Sequence, residues 1–324
     1  MKQEQFEALY NARWKAFSDW LKHSKSKRQP LPFPASELPQ RYRVLCQDLA
    51  LARDRQYSAD LVRQLNQLVL AGHQLLYGSK NNDKNKILDF IFGGFAELVR
   101  SEAKVVLSGV GLFFVPLFAI MIALQFYPDF IYYLLDPSQV HEYESMYSPD
   151  AKKLGRSREA ASDIFMFGFY IWNNVRIGFQ TFAAGLLFAI GSIFFLVVNG
   201  VIIGAVAGHL TQIGYITTFY SFVSGHGSFE LTAIALCGAA GLKIGYALVA
   251  PGRLSRAQSV REAARPAIRI VYGAAGMLVI AAFIEAFWSS SRLIPPPVKY
   301  SVGIFLWLAV ICYFLFVGRN RGHF

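Results

Sequence analysis

One pair of residues in this 324-residue chain has the spacing of an acid–base or metal-binding couple. His226 and Glu230, in the run GHGSFE, stand at i and i+4, which on a helix puts both side chains on one face within reach of each other. Gly225 and Gly227 flank the histidine and suit a turn or a close backbone approach. A His–Glu pair binds a metal or activates a water in many hydrolytic sites. A zinc-peptidase helix carries HExxH, however, and here one histidine faces one carboxylate, with His209 well upstream. No GxSxG or P-loop pattern occurs, so serine-hydrolase and ATPase chemistry find no support. Asn173, Asn174 and Glu285 are the other polar residues that stand in or beside apolar stretches. No metal, cofactor or catalytic residue is expected from these patterns.

The elements that must position this group are membrane helices. Apolar stretches run approximately over 105–127, 178–198, 201–222, 229–250, 270–288 and 301–317, and a spanning helix needs about 20 mostly apolar residues. The chain is 54% hydrophobic and 16% charged, against roughly 25% charged in soluble domains. The fold class expected is all-α: a polytopic membrane helix bundle of about six spans, preceded by a cytoplasmic helical domain. The net charge of +11 follows from Lys and Arg gathering on the cytoplasmic side, so no nucleic-acid partner is expected. Cys46, Cys237 and Cys312 are far apart and read as small apolar residues.

Orientation follows from the same charge rule. Lys80, Lys84, Lys86, Arg100 and Lys104 precede the first stretch; Arg253, Arg256, Arg261, Arg265 and Arg269 fill loop 251–269; Arg319 and Arg321 follow the last stretch. These regions and both termini are expected in the cytoplasm. The mixed-charge loop 128–176, which includes Glu159, and loop 289–300 fall outside. No apolar signal-peptide core is visible near the start, so the N-terminal region is expected to stay in the cytoplasm. Asn199-Gly200 is read as a very tight turn between two spans, with 201–222 either spanning, broken or re-entrant.

In that topology Asn173, Asn174, His226, Glu230 and Glu285 converge near the outer end of the bundle. They read first as a structural keystone in which His226 and Glu230 hydrogen-bond each other, then as a partner or ligand site, then as a catalytic pair. Gly200, Gly204 and Gly208 form a GxxxGxxxG ladder for helix packing, within one chain or in a homo-oligomer. Lys243 has the reach to snorkel to the interface.

The chain divides into a cytoplasmic helical domain (1–86), an interfacial amphipathic helix (87–104) and a transmembrane domain (105–324). Pro30, Pro32 and Pro34 break the first helix from a second that Ser36 caps; Ser58 opens a third, which Gly78 and the polar run 79–86 end. Trp14 beside Phe17 is read either as an exposed binding anchor or as domain core.

The runs NNVRIGF, FAAGLLFAIGS, NGVIIGAVAGHL and GHGSFELTAIALCGAAGLKIG, with FIEAFWSS around Glu285, resemble the core of the stage II sporulation protein M family. The run from Tyr42 to Gly78 resembles the N-terminal extension of Gram-negative members. The resemblance implies a multi-pass protein of the bacterial inner membrane without established enzymatic activity; the sporulation member anchors peptidoglycan-degrading proteins. This chain departs from it in its large N-terminal domain and extra last span. The function expected is a scaffold or anchor in the lipid bilayer for unidentified membrane, envelope or cytoplasmic proteins. The alternatives are a permease or channel-like subunit and an intramembrane hydrolase using His226 and Glu230.

Overall fold

The computed structural model describes residues 1–23, 32–77, 87–150 and 163–319. The chain forms two compact units, Met1–Asn85 and Lys86–Phe324, and every regular element among the described residues is helical. Pro30, Gly78, Lys80, Lys84, Lys86, Glu159, Arg321 and the run 79–86 lie outside the described residues.

In the first unit α1 (Gln3–His23), α2 (Leu38–Asp54) and α3 (Ala59–Tyr77) close round one core that includes Phe6, Trp14, Phe17, Leu45, Leu49 and Leu65. Trp14 is buried, and its Nε1–H donates to Asp48 Oδ2 at 2.7 Å. Arg13 also pairs with Asp48, donating from Nε at 2.9 Å and from Nη2. Trp14 and Phe17 are therefore core residues and not exposed anchors, because the apolar stripe of α1 is used up inside its own unit. Ser58 opens α3, its Oγ accepting from Leu61 N–H at 3.4 Å. Ser36 does not cap α2, since a 3₁₀ turn, Ala35–Glu37, precedes that helix.

The second unit is a bundle. A short helix, α4 (Phe95–Ser101), leads into α5 (Ala103–Phe126); α6 (Pro137–Tyr147) lies beyond it. Then follow α7 (Asp163–Ala183), α8 (Ile190–Gln212), α9 (Ile216–Val249), α10 (Arg256–Phe283) and α11 (Pro296–Phe316). Five of these, α5, α8, α9, α10 with its extension to Ser289, and α11, are long and apolar enough to cross a membrane. The remaining long helix, α7, carries Asn173, Asn174, Arg176 and Gln180 along its length; one face packs on the bundle, Gly178 meeting Cys237 and Leu278, while Trp172 and Phe179 stay exposed.

Glycine contacts give the directions. Phe113, Leu117 and Met121 of α5 fill the space beside Gly200, Gly204 and Gly208 of α8 in that order, so the two helices run parallel. Leu196 of α8 and Ala189, just before its first residue, fill the space beside Gly238 and Gly245 of α9, so α9 runs back. The bundle thus has a basic end, holding α4, the turn 184–189 and the loop before Arg256, and a cap end, holding α6 and the links 213–215 and 290–295.

Three sequence expectations change here. Asn199-Gly200 is no turn: Asn199 Nδ2 donates to Phe195 O at 2.7 Å inside a continuous α8, and Gly200 is small because Phe113 O presses on it. The real break falls at 184–189, within the expected stretch 178–198, where Phe188 and Ala189 adopt positive φ. Of the readings offered for 201–222, the broken one holds: a turn at 213–215, with positive φ at Gly214, divides the stretch. Finally, 87–104 is not one interfacial helix. A π-helical piece, Phe90–Gly94, joins α4, which buries Phe95, Leu98 and Val99 in the bundle core, and Glu102 separates α4 from α5. The apolar face of α4 packs on the bundle, while Ile87, Leu88, Ile91 and Phe92 before it stay exposed. Lys243 does not snorkel freely; its Nζ donates to Glu102 Oε2 at 2.6 Å.

Candidate functional site

Glu230 sits deep in the bundle. Gly109 of α5 packs on Ala235 and Ala239 of α9, and Glu230 lies about 7 Å nearer the cap end than Ala235 at ~1.5 Å per residue. That places it beside the middle of α5. The expected position at the outer end of the bundle is corrected: α9 begins at Ile216, more than three turns before the stretch expected at 229, and so carries His226 and Glu230 inward. Asn173 and Asn174 likewise stand at mid-length of α7, not at a helix end.

His226 and Glu230 share a face of α9 but are not hydrogen-bonded: Nε2 and Oε2 are 3.9 Å apart. The imidazole is instead fixed from α10's end. His226 Nδ1 and Ser289 Oγ are 3.0 Å apart, and the Phe222 ring stands edge-on to it at 5.2 Å. Ser289 and Glu285 both belong to a π-helical stretch, Ile284–Ser289, that continues α10. The wider turn brings Glu285 to the pair: one ligand atom each from His226, Glu230 and Glu285 lie within 4.8 Å of one another. His226 is buried, and the two carboxylates are half-buried.

The cap end closes over this group. Asp136 caps α6 in a box with Gln139, whose Oε1 accepts from the Asp136 N–H at 3.1 Å, and Pro137 takes the first helical position. Val140, Met146 and Tyr147 then bury against Leu210, Phe219 and Phe222. Burial drives the Tyr147 hydroxyl well above the usual tyrosine pKa, and the nearby charges of Glu285 and Glu230 push it the same way. Thr218 Oγ1 donates to Tyr147 O at 2.5 Å, fixing the cap to the start of α9. Lys299 is 2% exposed and donates from Nζ to Ser289 O at 2.7 Å and Ser291 O at 2.6 Å. A cation on these carbonyls satisfies the end of the α10 extension.

Asn174 stands on the neighbouring helix α7. It is 1% exposed, its Oδ1 accepts from Asn173 Nδ2 at 3.3 Å, and its own Nδ2 has no acceptor. Gly178, one helical turn along, packs on Cys237 and Leu278, so Asn174 shares the face of α7 that meets α9 and α10. Ser289, Tyr147 and Lys299 were not singled out in the sequence. Ser289 had a weak signal, a serine pair after FIEAFW, whereas Tyr147 and Lys299 sit in segments that read as loops.

Gly200, Gly204 and Gly208 do not belong to the site; they pack α8 on α5 of the same chain. His209 stands apart as well, its Nε2 2.8 Å from Glu144 Oε1 of α6.

A family model described as stage II sporulation protein M matches residues 105–290, which include every residue of the cluster. A second, described as a domain of unknown function, matches residues 4–78. No curated protein and no solved structure matches the chain.

Proposed function

Because this chain belongs to the stage II sporulation protein M family, we propose that it is a scaffold of the bacterial inner membrane, with both termini in the cytoplasm, that holds membrane or envelope partners at its cap end. The observation that carries this is the segment 127–135. Its inner side, Ile131 and Leu135, is locked into the bundle core, while Tyr127, Tyr132 and Tyr133 are 72%, 53% and 84% exposed. Aromatic side chains on a rigid backing supply contact area at small entropic cost, as binding hot spots do. The charge rule puts this end outside, opposite Arg253, Arg256, Arg261 and Arg265.

A photo-crosslinking amino acid at Tyr133 of the full chain tests the reading in cells. Discrete protein adducts that disappear in the Tyr127→Ala/Tyr132→Ala background support it. Adducts to lipid alone would mean that the tyrosines are an interfacial belt and that the cap holds no partner. A cysteine in place of Gln258, in a background lacking the native cysteines, should resist an impermeant thiol reagent applied to spheroplasts. Labelling from outside would invert the topology.

The mid-depth carboxylates favour a permease as the second reading, since ionisable groups inside a membrane often mark ion pathways. Transport needs polar groups along the whole path. Toward the basic end α9 buries Ala235, Leu236, Cys237, Gly238, Ala239 and Ala240, which weighs for the scaffold.

A further inference from the structure

We propose that His226, Glu230 and Glu285 bind a first-row divalent cation of the zinc class, which ties α9 to the α10 extension in the middle of the bundle. The ligand types are those such ions take, one imidazole nitrogen and two carboxylate oxygens. Their atoms already lie within 4.8 Å of one another. Bonds of about 2.0–2.2 Å at tetrahedral angles set ligand atoms roughly 3.3–3.6 Å apart, so the widest of those separations must close by about 1.3 Å, within reach of glutamate rotamers. The 3.9 Å between His226 Nε2 and Glu230 Oε2 is too long for a hydrogen bond and suits two ligands of one ion.

The surroundings are those of a coordinated histidine. A metal on Nε2 requires the proton on Nδ1, and Ser289 Oγ stands 3.0 Å from Nδ1 to accept it. Histidine ligands are ordinarily oriented through the ring nitrogen that does not bind the metal. An independent observation comes from α7: the buried Asn174 Nδ2 has no acceptor and lies on the face turned to α9 and α10. The site is separate from the exposed tyrosines, so it stands whether or not the scaffold reading does.

The test uses untagged full-length protein in mild detergent, stripped with EDTA and then given ZnCl2, with MgCl2 as comparator. Zinc should be retained at one ion per chain after gel filtration. It should raise the melting temperature by about 5 °C or more at roughly a hundred times its dissociation constant, and magnesium should not. Glu285→Gln and Glu230→Gln should each abolish retention and shift, while Glu144→Gln, in the cap pair with His209, keeps both. Zinc lost on filtration with no shift overturns the site, as does retention in the Glu230→Gln/Glu285→Gln protein. If the variants fail to fold, X-ray absorption on the zinc-loaded native chain decides. An imidazole and oxygen shell supports the assignment; a sulfur ligand or a purely aqueous shell refutes it.

Discussion

The two ends of the bundle are held together in different ways. Toward the basic end, backbone meets backbone. A side chain at Gly185 would run into Gly241 O, one at Gly241 into Ser192 Oγ, and one at Gly245 into Ala189 N. Toward the cap end, directional side-chain bonds join the helices: His226 with Ser289, Lys299 on two carbonyls, His209 with Glu144, Thr218 on Tyr147 O, Arg292 on Ser148 O and Pro149 O. In lipid, apolar burial does not drive helices together, so close packing and interhelical hydrogen bonds must. The basic half uses mostly the first device and has no slack. The cap half adds the second to close packing of its own, where Gly204 and Gly208 of α8 meet Leu117 and Met121 of α5.

The sharpest way to break the comparison is to put a side chain where backbone touches backbone. Gly185→Leu places its Cβ 2.2 Å from Gly241 O, and neither helix can yield without moving the bundle. A cost above about 3 kcal/mol is expected, the upper part of the range for overpacking. It should appear as loss of the folded peak in detergent gel filtration. Gly276→Leu is the matched control, since nothing lies within 4 Å of a Cβ there; it should accumulate and melt as the native chain does. Equal damage from both would show that glycine composition, and not close contact, matters in this half.

Lys299→Met probes the cap half with the next largest effect. The variant keeps the buried stem and removes the charge that serves Ser289 O and Ser291 O. Leaving those carbonyls unpaired costs about 1.5–3 kcal/mol, read as a lowered melting temperature in detergent. An unchanged transition would mean that directional bonds do not hold this half.

The difference between the halves also explains what could be read from sequence. Apolar length and charge placement were enough for a helical membrane bundle with three helices between loop 128–176 and loop 251–269. Helix limits were not legible, because glycine has two uses that composition cannot separate. Gly200 looks like part of a turn beside Asn199 and proves to be a packing surface, whereas Gly214 carries the turn. Moving those limits moved the cluster inward. His226, Glu230 and Glu285 were identifiable as residue types, but Glu285 joins the pair only through a π-helical stretch with no signature in the sequence. Ser289 and Lys299 meet at the same stretch, which neither a serine pair nor a lysine in an apparent loop announces.

The mildest change sharpens the account of the cap half by separating charge from hydrogen bonding. His209 is buried, and its Nε2 lies 2.8 Å from Glu144 Oε1, whose side chain is 32% exposed. If the contact is held by charge, replacing the carboxylate with an amide should weaken it and make it insensitive to salt. If it is held by geometry, Glu144→Gln keeps an oxygen that accepts from a neutral imidazole N–H, and only the charge assistance is lost. Partly exposed ion pairs contribute about 0–1 kcal/mol, so Glu144→Gln should lower stability by less than about 1 kcal/mol. Glu144→Ala leaves the His209 nitrogen without its acceptor, and the cost rises to about 1–3 kcal/mol. Melting curves of the two variants at low and high salt separate the cases. A glutamine variant as damaged as the alanine variant, with the native chain alone sensitive to salt, would make this contact an ion pair. The graded order, native, then Gln, then Ala, would place it with Thr218 and Lys299 as a bond set by direction, the device this half adds to its glycine packing.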